Sequence, residues 1–116
     1  MRKIAQVAAP TSEVVRLMIH ADGDNGVYLF GYNTLEDSSS LWDYWFEKVA
    51  DAEATAEEYG VTGSDWQFIA DPLENCQQDW ITPVRVKGRA ENQPQWGQFE
   101  KLVNNEWVAF SPTQKL

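Results

Sequence analysis

Residues 21–26, Ala-Asp-Gly-Asp-Asn-Gly, constrain the fold more than any other stretch of this chain. They hold both an Asp-Gly and an Asn-Gly dipeptide, which enter the positive φ angles of hairpin turns at little steric cost. The sequence on either side alternates as strands do. Residues 13–20 set Val15, Leu17 and Ile19 on one face and Val14, Arg16, Met18 and His20 on the other, and residues 27–32 set Val27, Leu29 and Gly31 against Tyr28, Phe30 and Tyr32. So short a connection joins antiparallel neighbours, and the chain is expected to build on an antiparallel sheet.

A polar, Ser-rich connection over 33–40 leads to a third predicted strand, 41–47, with Trp42, Tyr44 and Phe46 on one face and Leu41, Asp43 and Trp45 on the other. It is expected to pair with the second strand. From Val49 the period changes: Val49, Ala52, Ala56 and Tyr59 recur at helical spacing while Asp51, Glu53, Glu57 and Glu58 fall mainly elsewhere, which predicts a helix over 49–59 closed by Gly60. Its small alanine face suits close packing on a sheet. Residues 66–70 read as a fourth strand stopped by Asp71-Pro72, residues 71–80 as an irregular loop, and 81–88 as an edge strand because Pro83 lacks a donor. Residues 96–110 read as a hairpin about Asn104-Asn105 that sets Leu102 opposite Trp107 and Phe99 opposite Phe110. The predicted architecture is a single α+β domain over 1–116. It is mainly antiparallel, with about six to seven short strands and one helix near 49–59 on one face. The ends, 1–11 and 112–116, are expected to be flexible.

Composition excludes several classes of function. A chain of 116 residues, 43 % hydrophobic and 13 % aromatic, has the length and apolar content for one packed core. No run approaches the ~20 apolar residues of a membrane span, and Ile4–Ala9 is too short for a secretory core. A formal charge of −9 repels phosphate backbones and anionic lipid, so neither nucleic acid nor membrane is an expected partner. The lone cysteine, Cys76, agrees with a reducing compartment, and a cytoplasmic location is expected.

The catalytic inventory is short, and no catalytic residue, metal or cofactor is assigned. His20 and Cys76 are one imidazole and one thiol with no motif around them, and together they supply half of a zinc site. Asp22-Gly23-Asp24-Asn25-Gly26 resembles the start of a calcium loop, but the twelfth position, where a bidentate Glu belongs, is Asn33. Asp43 is the one acid inside an aromatic strand, and only burial would make it a candidate acid.

Six tryptophans exceed what one helix on a small sheet needs. Tryptophan buries much area with little entropy loss and is favoured at recognition surfaces, although packing competes for the same side chains. The candidate binding residues are Trp80 and Asp79 at the end of the 71–80 loop, with Trp42, Asp43 and Trp45. The leading expectation is a non-catalytic protein-binding module, of inhibitor or immunity type, with another protein as partner. A small enzyme or ligand-binding domain with a cleft near the 71–80 loop is the alternative. Self-association through an exposed strand, giving a homo-oligomer, is a third.

Overall fold

The computed structural model describes residues 1–8 and 13–111, in two compact units, Met1–Asp71 and Pro72–Leu116. In the first, β1 (Arg2–Gln6), β2 (Arg16–Ala21), β3 (Val27–Tyr32), β4 (Trp42–Phe46) and β5 (Gln67–Ile69) form one antiparallel sheet in the order β4-β3-β2-β1-β5. The helix α1 runs over Val49–Glu57.

The 21–26 turn fulfils its sequence signature as a longer hairpin loop. Ala21 pairs with Val27, a short 3-10 turn over Gly23–Asn25 closes the loop, and Gly23 and Gly26 take φ of +51° and +91°. Asp22 N–H donates to the Gly26 carbonyl at 2.9 Å, and Asn25 N–H donates back to the Asp22 carbonyl at 2.8 Å. From this hairpin the period-2 pattern sends Leu17, Ile19, Val27 and Leu29 to one face, where they join Ala5, Ala52, Ala56 and Val61 in the core. Ala52 and Ala56 are fully buried, since a methyl side chain lets the helix backbone approach the sheet. The helix ends at Glu57, two residues short of the predicted 49–59, and the turn that follows it closes at the predicted glycine. Gly60 has φ of +80°, and Gly60 and Val61 N–H donate to the Glu57 and Ala56 carbonyls at 2.9 and 3.3 Å. The opposite face of the sheet also carries buried residues: Arg2, Arg16, Met18, His20, Phe30 and Tyr32.

The second unit holds β6 (Val84–Val86), β7 (Phe99–Val103) and β8 (Glu106–Phe110) in a sheet ordered β6-β7-β8. Asn104 and Asn105 turn the hairpin with φ of +50° and +65°, and the register sets Leu102 opposite Trp107 and Phe99 opposite Phe110, as their spacing predicted. β6 is an edge strand, as Pro83 implied.

The α+β class stands, with one helix among the described residues packed on an antiparallel sheet, and one expectation is corrected, that the first residues form a loose end. The described residues hold eight strands in two sheets, of five and three. The extra one is β1, inside the segment expected to be a loose end. It pairs with β2 on one side and β5 on the other, so it is an interior strand. Its start hides this because two of its first residues are cations, Arg2 and Lys3, whose burial depends on distant partners. Residues 9–11 and 112–116 of the expected flexible ends lie outside the described residues. Among the described residues no helix is long and apolar enough to cross a membrane.

Candidate functional site

Three of the five candidate binding residues come together on β4, an edge strand. Trp42 is half-buried over Gly31, with its ring centroid 4.9 Å from that of Tyr44 and 6.0 Å from that of Tyr59. Trp45 points to the other face, 53 % exposed, and its indole N–H donates to the Asn25 carbonyl at 2.8 Å, which pins it against the hairpin loop. Asp43 lies between them and is exposed, so the burial that would make it a candidate acid is absent. Tyr44, next along the strand, is 53 % exposed.

Trp80 and Asp79 belong to the second unit, and Trp80 is corrected as a surface anchor. It is 7 % exposed and meets Phe110 edge-on, with centroids 5.3 Å apart, an arrangement favoured by the ring quadrupoles. A loop tryptophan near the end of an irregular run looks accessible in sequence because the strand that covers it, β8, lies thirty residues further on. Asp79 is half-buried. His20 sits buried on β2 in the first unit, and Cys76 lies half-buried in the second. Among the described residues no group of three or more His, Cys, Asp and Glu is placed to hold a metal ion.

Charge is divided unequally between the units. The second holds five acids (Glu74, Asp79, Glu91, Glu100, Glu106) and five bases (Arg85, Lys87, Arg89, Lys101, Lys115), so the whole −9 falls on the first. There, thirteen acids stand against Arg2, Lys3, Arg16 and Lys48. Three of those four bases are buried, at 2, 7 and 3 % exposure, and only Lys48 is exposed. None of the thirteen acids is buried.

Each buried cation is held by a specific contact. Arg2 donates from Nε to the Ala70 carbonyl at 2.7 Å. The Lys3 ammonium pairs with the Glu53 carboxylate, 5.0 Å from the Trp66 ring centroid and 5.9 Å from that of Phe68. Arg16 lies 3.7 Å over the Tyr32 ring and donates to the carbonyls of Thr34 at 3.2 Å and Glu36 at 2.9 Å, which ties down the Ser-rich connection. Burial lowers the pKa of Arg16, but a guanidinium titrates so high that it remains a cation.

A pocket of about 180 Å³ opens beside α1, lined by Glu53, Glu57, Val61, Thr62, Gly63 and Trp66. Glu53 and Glu57 share a helix face at i and i+4. The rim is fixed by a capping box, in which the Asp65 carboxylate accepts from Thr62 N–H at 2.8 Å and lies 3.2 Å from its hydroxyl oxygen. Sequence reading misses this site: Glu53 and Glu57 pass as a solvated helix face and Trp66 as the start of a strand. The signal available was acid at the wrong end of the helix. Glu57 and Glu58 stand at the C-terminus of α1 with no basic residue in its last turn, where the dipole disfavours negative charge.

No protein-family model, no curated protein and no solved structure matches this chain.

Proposed function

We propose that the protein is a non-catalytic binding module, of inhibitor or immunity type, that uses the surface of Met1–Asp71 to engage a protein partner rich in lysine and arginine. One observation carries the reading: in this unit three of the four cations are buried and none of the thirteen acids is. An acidic surface also serves solubility, but that need would be met by acids spread over the whole chain. Here the second unit is neutral, and Arg85 stands opposite Glu100 in the sheet with its Nε 3.2 Å from that carboxylate. A field of one sign over one surface accelerates encounter with a basic patch and repels phosphate-bearing competitors. The half-exposed Tyr44 and Trp45, beside Asp43 on β4, supply the aromatic area that protein interfaces favour. A cytoplasmic setting belongs to the same proposal and rests on Cys76 being the one cysteine of the sequence, which excludes an intrachain disulfide.

Affinity capture from the native source at low and raised salt tests this reading. The expected result is a stoichiometric partner with a basic surface that is released by salt and is lost when Asp43, Glu47 and Asp51 are together changed to amides. A stoichiometric partner that is acidic, or one retained through high salt and by the amide variant, overturns it.

A further inference from the structure

We propose that the pocket between α1 and the 61–66 turn receives one lysine or arginine side chain of that partner, with Glu57 as its counter-ion. This rests on the preceding reading and names the chemistry of recognition within it.

The pocket's dimensions set the class of ligand. At about 180 Å³ it is smaller than the ~300–1,000 Å³ clefts that enclose drug-sized molecules, but it has room for one long side chain. Its walls then set the charge. Two carboxylates exclude an anion, and a purely apolar group would strip water from Glu57 without replacing its hydrogen bonds. A cation meets both conditions, because Trp66 offers a ring for its methylenes or guanidinium plane and Glu57 offers charge-assisted acceptors.

The protein already performs half of this recognition on itself. The Lys3 ammonium is held by Glu53 and lies near the Trp66 ring, so this constellation accommodates an ammonium. That contact neutralises Glu53 and leaves Glu57, which is exposed and forms no ion pair among the described residues. One feature makes Glu57 locally unfavourable in the free protein: it ends a helix whose dipole is negative there, with no basic residue in the last turn. An incoming cation relieves this. Glu58 and Asp65, exposed and close in sequence, add to the field at the rim without lining the pocket.

The test uses the full chain and an alanine-based octapeptide with four lysines, with its fully acetylated counterpart as the neutral control. Binding is followed at low ionic strength by NMR, through the indole N–H resonance of Trp66. The expected result is that the lysine peptide moves this resonance and the acetylated one does not. Glu57→Gln should weaken binding about tenfold, the loss of one charge-assisted hydrogen bond. Glu58→Gln, equal in charge change but outside the pocket, should cost less than about twofold, as expected of a screened surface charge. Equal losses in the two variants, or saturation without movement of Trp66, overturn the pocket while leaving the acidic surface as the binding element. Failure of the wild type to bind the lysine peptide at all overturns the pocket and counts against the wider reading too. Glu57 is exposed at a helix end that disfavours its charge, and a urea midpoint for Glu57→Gln no lower than that of the parent separates lost binding from lost fold.

Discussion

Trp42 lies over Gly31. The two residues are partners across β3 and β4, and a Cβ built on Gly31 would come within 2.3 Å of the indole Cζ2. The missing side chain is therefore what allows the indole to close over the end of the core beside Tyr59. Gly31→Ala should overpack this contact and cost about 1–3 kcal/mol, measured by urea unfolding. In the double variant with Trp42→Leu the penalty should shrink, because a smaller partner leaves room for the methyl. A neutral Gly31→Ala, or strict additivity, would show that the indole moves aside freely.

Trp80→Ala should act on stability. With 7 % exposure and an edge-on contact to Phe110, loss of the ring should cost about 3–5 kcal/mol through lost burial and a residual cavity. Trp45→Ala, at a site 53 % exposed, should cost much less in the same unfolding measurement. Similar costs for the two would contradict the burial described for Trp80.

The Asn104-Asn105 turn should tolerate glycine and reject branching. Asn105 has φ of +65°, so Asn105→Gly should be neutral or stabilising by a few tenths of a kcal/mol, while Asn105→Val should cost about 1–3 kcal/mol. Thermal midpoints of the two variants provide the check. A Val variant as stable as the parent would mean that the hairpin re-forms with another turn.

Asp71 should titrate low. The α-amino group of Met1 lies 2.8 Å from its carboxylate, and this hydrogen bond, with the charge of the amine, holds its pKa below the ordinary carboxylate value. A carboxyl depressed in the folded state contributes stability above its unfolded pKa, near 3.9, and loses that contribution as pH falls through the folded value. The group is exposed, so the readout is its own titration by NMR. Acetylation of the Met1 amine should return Asp71 toward the ordinary range, and a titration indifferent to acetylation would remove the amine as the cause.

What the sequence determined by itself is what short-range chemistry controls. The second hairpin's register follows from two asparagines that accept left-handed φ and from a strand period of two, so Leu102 meets Trp107 wherever the hairpin is placed. The helix is legible for the same reason, since Val49, Ala52 and Ala56 mark its buried face and Gly60 its stop. β4 and its aromatic, acidic edge were legible because alternation and turn signals bound them on both sides. The tertiary structure alone decided which charges and rings are accessible. Lys3 reads as a solvated cation until Glu53, fifty residues away, neutralises it, and Arg2 likewise until the Ala70 carbonyl accepts its Nε. Trp80 reads as a loop anchor until Phe110 meets it. The pocket joins a helix end to a turn and Trp66. Burial and charge pairing depend on which distant residues share space, and local periodicity carries no information about that.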